Sequence, residues 1–296
     1  MPEIRPTLLS LACVLAMGCT AQDDLPPLPD TGEPGTYRVS FEHNSETRTA
    51  VVHVPASYSP GDAALVLNFH GFGGTSDSQL AWADMRALSD RDGHLVAYPQ
   101  GTELDGAPHW NSALPGPDNK SSADDLGFAQ ELVDHIDTAY PIDRDRVSAV
   151  GYSNGGMFAF ALACHQSDLV AAVGSVSGGM MDSHEADCSA THPTSVITLH
   201  GTRDDVLSYD GGGGMVAAED ALAFWADHNG ITGAPAEASD GSIDQLLYPT
   251  GDGGSAVHHY RYQGGGHVWF DDTYQGSDAS ALVWDFLTAF DTSGAL

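Results

Sequence analysis

The 296-residue chain is 42% hydrophobic and 17% charged, a balance that supports one sizeable buried core and excludes a disordered or fibrous polymer. Ten basic residues stand against 41 acidic ones, for a net charge of −31, and Lys120 is the only lysine. Nucleic-acid backbones and anionic lipid surfaces are therefore repelled as partners, and the acidity by itself names no activity.

Residues 1–18 read as a signal peptide. Arg5 supplies a positive charge, Thr7 to Met17 form a mostly apolar run, and Gly18-Cys19 follows. The run is shorter than the roughly 20 residues that cross a bilayer. A small residue before cysteine resembles a bacterial lipoprotein cleavage site, which would make Cys19 the lipidated first residue of the mature chain and its membrane tether. Ala16-Met17-Gly18-Cys19 lacks the leucine usual three positions before the cysteine, so a plain secretory signal is the alternative. Both readings place the chain outside the cytoplasm of a bacterium, either free or anchored at the outer membrane. Residues 19–35, with Pro26, Pro27, Pro29 and Pro34, read as an extended tether, leaving 36–296 as the folded body. Cys164 and Cys188 are the two cysteines within that body, and an oxidising compartment would bridge them, contributing about 3 kcal/mol.

Tyr37 to Phe41 and Thr49 to Val54 flank a polar turn at His43 to Glu46 and predict an antiparallel pair. Short apolar runs then follow at Leu65 to Phe69, Leu95 to Tyr98, Val147 to Tyr152, Ala171 to Val176 and Ser195 to Leu199. Helical spacing lies between or after them, at Leu80 to Leu88, Leu126 to Ile136, Met157 to Ala163, Ala217 to Trp225 and Leu282 to Phe290. Tyr260 to Tyr262 and Gln245 to Tyr248 add late strands at one edge. Buried strands alternating with helices predict an α/β fold with a mostly parallel central sheet covered by helices on both faces. Glycines 211–214 and the Gly251 to Gly254 stretch read as loops, and neither has the lysine of a phosphate cradle.

Gly151-Tyr152-Ser153-Asn154-Gly155 spells G-x-S-x-G between a strand and a helix. There a nucleophilic serine is presented on a tight turn, and the flanking glycines give the backbone room. A serine hydroxyl needs a base to take its proton and an acid to orient that base, in the order acid then histidine. Leu199 to Asp205 ends a strand in His-Gly and places Asp204 and Asp205 just past its carboxyl end, where open α/β sheets carry their sites. Downstream, Gly264-Gly265-Gly266-His267 sets a histidine in a glycine loop. His70-Gly71-Phe72-Gly73-Gly74 can aim amides inward, which makes the Phe72 and Asn154 N–H groups candidates for an oxyanion hole.

The segments HGFGG, GYSNGGM, HGTRDD and GGGHVW, spread over residues 70–269, resemble those of the secreted esterases that include polyhydroxybutyrate depolymerases and feruloyl esterases. Trp110-Asn111 and Asp124 to Phe128 also resemble segments of that family. The resemblance implies an α/β-hydrolase fold, carboxylic-ester hydrolysis, and Ser153, Asp204 and His267 as catalytic triad, the acid lying four positions after the histidine of its His-Gly turn. Many members carry paired cysteines after the Trp-Asn step; Ser112 to Gly116 has none, so that loop departs from the family.

Trp110 and Trp269 are expected at the substrate rim and acyl pocket, whereas Trp225 and Trp284 fit helical core stripes. Asp124-Asp125 reads as a helix cap. His70 and His200 read as local hydrogen-bonding groups, and His258-His259 point to opposite faces, so no metal site is expected. No cofactor is required and no protein partner is implied. The expected reaction is hydrolysis of feruloyl or acetyl esters of plant polysaccharide oligomers, or of polyhydroxyalkanoate-type esters. The contrasting reading is a surface lipoprotein that keeps the fold and only binds ligands, which the filled triad positions disfavour.

Overall fold

The computed structural model describes residues 25–29 and 32–296. The signal segment and Cys19 lie outside the described residues.

β1 (Gly35–His43) and β2 (Glu46–Val54) form the expected hairpin. Asn44 and Ser45 close it as a two-residue turn, both at positive φ (51° and 67°), the geometry whose twist matches the flanking strands. The proline-rich segment is not wholly a free tether: Arg38 donates its backbone N–H to Pro26 (2.9 Å), and the Tyr140 hydroxyl donates to the Glu33 carbonyl (2.8 Å). Proline lacks a donor but keeps its carbonyl, so such a segment can still lie along an edge strand.

β3 (Leu65–Phe69) and β4 (Leu95–Pro99) follow, then a small hairpin of β5 (Thr102–Leu104) and β6 (Ala107–His109). Next come β7 (Val147–Tyr152), β8 (Ala172–Val176) and β9 (Ser195–Gly201). β10 (Ala236–Asp240), β11 (Ile243–Leu247) and β12 (Val257–Tyr262) complete a sheet of ten strands among the described residues, in the order β1-β2-β4-β3-β7-β8-β9-β12-β11-β10. The run from β4 to β12 is parallel, and both edges are antiparallel. A last small pair, β13 (Phe290–Asp291) and β14 (Gly294–Ala295), stands apart.

Side chains alternate across the sheet and feed two apolar clusters. Leu65, Leu67 and Phe69 join Trp110, Phe128, Phe158 and Trp225 on the face covered by α3 (Asp125–Ala139), α4 (Asn154–His165) and α6 (Ala218–His228). Val66, Val96, Val150 and Ile197 join Val283 and Trp284 of α7 (Ala279–Leu287) on the other. Cys164 and Cys188 are bridged, tying the end of α4 to the end of α5 (Asp182–Asp187).

The segment expected as one helix from Leu80 to Leu88 is instead two, α1 (Ser76–Trp82) and α2 (Arg86–Asp92). A buried tyrosine and an exposed aspartate take over the backbone at the break. The Tyr98 hydroxyl accepts from Met85 N (2.9 Å) and donates to the Ala83 carbonyl (3.2 Å), while Asp84 accepts from Arg86 N (3.0 Å). Helix α7 also stops at Leu287, short of Phe290, which pairs in β13 and packs its ring on Phe286.

Candidate active site

Ser153 sits where β7 turns into α4, with φ 53° and ψ −117°, a conformation that L-residues rarely adopt. Its amide donates to the Val176 carbonyl (2.9 Å) and its own carbonyl accepts from Met157 N (3.0 Å), so the strain is held from both sides. The flanking glycines are required by close approach. A Cβ on Gly151 would strike the Gly155 backbone, and one on Gly155 would strike the Phe69 carbonyl.

Two further loops converge on this turn. Gly201 lets the loop after β9 lie against the 264–266 loop, where a Cβ would collide with the Gly265 carbonyl, and Arg203 N donates to that carbonyl (2.9 Å). As a result His267 Nε2 lies 2.8 Å from Ser153 Oγ, and His267 Nδ1 lies 2.7 Å from Asp204 Oδ2. The other Asp204 oxygen accepts from Val206 N (2.9 Å) and Leu207 N (2.8 Å). Nδ1 facing a carboxylate carries the proton, which leaves Nε2 to accept from the serine hydroxyl. Burial alone would raise the Asp204 carboxyl; hydrogen bonds from His200, His267 and the Leu207 and Val206 amides outweigh it and hold the group well below the usual carboxylate range. Asp205 is exposed and turned to solvent.

His200 is more than a local turn residue. Buried beneath the acid, it donates through Nε2 to the Leu207 carbonyl (2.9 Å), with Asp204 Oδ2 3.3 Å from the same nitrogen. His259 lies deeper, between Thr198 Oγ1 (2.7 Å) and the Tyr209 hydroxyl (2.9 Å), while His258 packs on Phe286.

On the opposite flank, the 70–74 turn places Gly71 against Ser153: a Cβ there would lie 3.3 Å from the serine Cβ. Among the described residues, neither Phe72 N nor Asn154 N donates to a protein acceptor, and Asn154 opens α4, where amides lack intrahelical partners. The turn is locked by His70, whose Nδ1 donates to Gly71 O (2.8 Å) and whose Nε2 accepts from Gly101 N (3.0 Å). Burial pushes this imidazole down to about 4, which keeps Nε2 free to accept.

The Esterase family model matches residues 43–247, well over half of the sequence. The chain belongs to the Esterase family. Feruloyl esterase B of Piromyces equi is 26% identical over 257 residues, covering 82% of this chain and 45% of its own. The bifunctional acetylxylan esterase/xylanase XynS20E of Neocallimastix patriciarum is 26% identical over 252 residues, covering 82% and 33%. The chain thus spans less than half the length of these relatives. The structure of an acetyl xylan esterase from Aspergillus awamori aligns with a TM-score of 0.60 at 14% identity, over 79% of this chain and 94% of that one. This likeness establishes the α/β-hydrolase fold.

In this member of the family Trp110 does not line the rim. Its side chain is 0% exposed, stacked with Phe128 and Phe158, and its Nε1 donates to the His70 carbonyl (3.0 Å), so it braces the 70–74 turn from within. Asn154 reinforces this brace, accepting from Trp110 N (2.8 Å) and donating to Trp110 O (3.0 Å). Asp124 caps α3 through Gly127 N (2.9 Å), but Asp125 is buried against Arg48 (2.7 Å) and accepts from Asn111 N (2.8 Å).

Trp269 does border open space. A cleft of about 470 Å³ beside His267 is lined by Ala81, Trp82, Tyr152, Val268, Trp269 and Asp271. Trp82, 66% exposed, was not singled out in the sequence. The usable signal is a tryptophan out of phase with the buried Leu80 and Ala83 of its own segment.

Proposed function

We propose that this esterase is an exported serine hydrolase that cleaves carboxylic esters through an acyl-enzyme. The unbroken hydrogen-bond chain from Asp204 through His267 to Ser153 carries the reading. His267 takes the hydroxyl proton as Ser153 attacks the ester carbonyl, while Asp204 holds the imidazole tautomer and stabilises the imidazolium. The Phe72 and Asn154 amides receive the developing oxyanion. His267 then returns the proton to the leaving alkoxide, and water enters by the same route to release the acid.

The substrates we propose are feruloyl or acetyl esters of plant polysaccharide oligomers. The relatives named for such esters support this class, and an aromatic-walled cleft beside the imidazole suits a feruloyl ring. The apolar amino-terminal run and the Cys164–Cys188 bridge support export, with Cys19 as the proposed lipid attachment point.

Ser153→Ala should abolish p-nitrophenyl acetate turnover while the far-UV and near-UV circular dichroism stay unchanged; a retained rate removes Ser153 from the mechanism. A panel of methyl ferulate, acetylated xylan oligomers and hydroxybutyrate oligomers then assigns the substrate. A preference of about tenfold in kcat/KM, or about 1.4 kcal/mol, decides among them.

A further inference from the structure

Two hydroxyls outside the proposed triad hold the backbone that carries its base. Tyr152, the residue before the nucleophile, donates to the His267 carbonyl (2.8 Å), and its ring lies 5.2 Å from the imidazole. Ser177, just past the end of β8, donates to the Val268 carbonyl (2.7 Å). The two consecutive carbonyls of the histidine loop are thereby fixed to the carboxyl ends of the neighbouring strands β7 and β8, and β7 leads directly into Ser153.

Ser177 is fully buried and has φ 47°, in the left-handed region that favours glycine. Two glycines follow it, and Gly178 is needed for contact: a Cβ there would come within 2.9 Å of Gly156 Cα and of the Ser153 carbonyl. A serine in a glycine-like conformation, in a run already rich in glycine, is unfavourable on local grounds. Its side chain makes the bond to Val268, while its amide continues the sheet to Leu199 O (2.8 Å) and would do so in any residue but proline.

We infer that Ser177 and Tyr152 are positioning residues which clamp the His267 loop so that Nε2 stays in line between the nucleophile and the departing alcohol. The inference rests on the triad reading above. An imidazole that serves first as base and then as acid must keep its place through both steps, and displacement of a catalytic group by about 1 Å can cost a hundredfold in rate. Tethering the loop to the strand that presents the serine makes the two groups move together.

The test compares Ser177→Ala, Ser177→Gly, Tyr152→Phe and the Tyr152→Phe/Ser177→Ala double variant, using p-nitrophenyl acetate and thermal melts. Both Ser177 variants should lose about tenfold in kcat with KM changed less than about twofold. Their melting temperatures should part, because glycine relieves the left-handed backbone and alanine does not. Tyr152→Phe should cost about threefold, and the double variant more than the product, since either hydroxyl partly holds the loop alone. The low-field proton resonance of His267 Nδ1–H should broaden in the double variant. Wild-type kcat in either Ser177 variant, or losses that follow melting temperature instead of the hydroxyl, would overturn the clamp. An inactive Ser153→Ala beside fully active Ser177 variants would sink the clamp alone; an active Ser153→Ala would sink the triad reading beneath it.

Discussion

The two flanks of Ser153 are built by different means. The flank bearing Asp204 and His267 is closed by backbone meeting backbone at Gly201 and Gly265, around a carboxylate held below its usual range. The flank formed by the 70–74 turn and the 109–123 loop is cross-braced mostly by neutral side chains, with the buried Asp125 holding Asn111 N. Asn154 grips Trp110, Asn119 bonds both backbone groups of Ala113 (3.0 and 2.9 Å), and His184 donates to the Ser112 carbonyl. The first flank turns on one carboxylate in contact with the imidazole, whereas on the second the buried Asp125–Arg48 pair holds only Asn111 and neutral side chains make the other braces, so the two should fail under different insults.

The largest difference should come from removing the charge. Asp204→Asn preserves shape but lets the imidazole take the wrong tautomer, and kcat should fall by about 10⁴ with the fold intact. A drop under tenfold would show that the carboxylate is not what organises that flank.

Acid should loosen the second flank as well as the first. Burial pushes both His70 and His184 down to about 4, and each accepts an amide proton in its neutral form, from Gly101 N (3.0 Å) and Met181 N (3.3 Å). A base whose folded pKa lies below its ordinary value of about 6.5 contributes stability that is complete above that value and is lost as pH falls through the folded one. Melting temperature should therefore decline between about pH 6.5 and 4, each of these histidines contributing on the order of 3 kcal/mol across that window, with His258 and His259, which burial also pushes down, adding to the decline. A shallower decline in His184→Gln would sharpen the assignment, and a flat wild-type curve would refute it.

Asn154→Ala keeps the proposed oxyanion amide but strands both backbone groups of Trp110. A loss of about 2 kcal/mol in stability is expected from urea unfolding, along with a fall in kcat/KM. The smallest effect belongs to the open cleft. Trp82→Ala should cost about tenfold on methyl ferulate and little on p-nitrophenyl acetate, and equal losses on both would remove Trp82 from substrate discrimination.

The same contrast explains what could be read from the sequence. On the first flank the requirements fall on glycine, whose placement in GYSNGG and GGGH announces close backbone approach, so Ser153 and His267 could be singled out; the family resemblance chose Asp204 over Asp205, and the structure joins all three. The second flank is built from Asn, Ser and His side chains bonding to backbone, which leave no periodicity. Trp110 was accordingly expected at the rim although it is a buried strut, and Asp125 was read as a cap although it faces Arg48. In the sheet, β3 and β7 to β9 stood out as apolar runs because both faces are covered. β10 escaped notice because all five of its residues are exposed and none is strongly apolar. The break between α1 and α2 was hidden for a related reason, since its backbone is satisfied by Tyr98 from a strand formed later in the chain.

The bridge between Cys164 and Cys188 has a bearing on the life history of the molecule. It fastens the far end of α4, the helix that follows Ser153, to α5, the short helix whose His184 reaches across to Ser112. Newly made chains kept in a thiol-rich cytosol would lack that strap and hold α5 less firmly against the 109–123 loop. Under the export proposed above, the strap closes only once the chain meets an oxidising compartment, so the bond from His184 to Ser112 gains this support outside the cytosol.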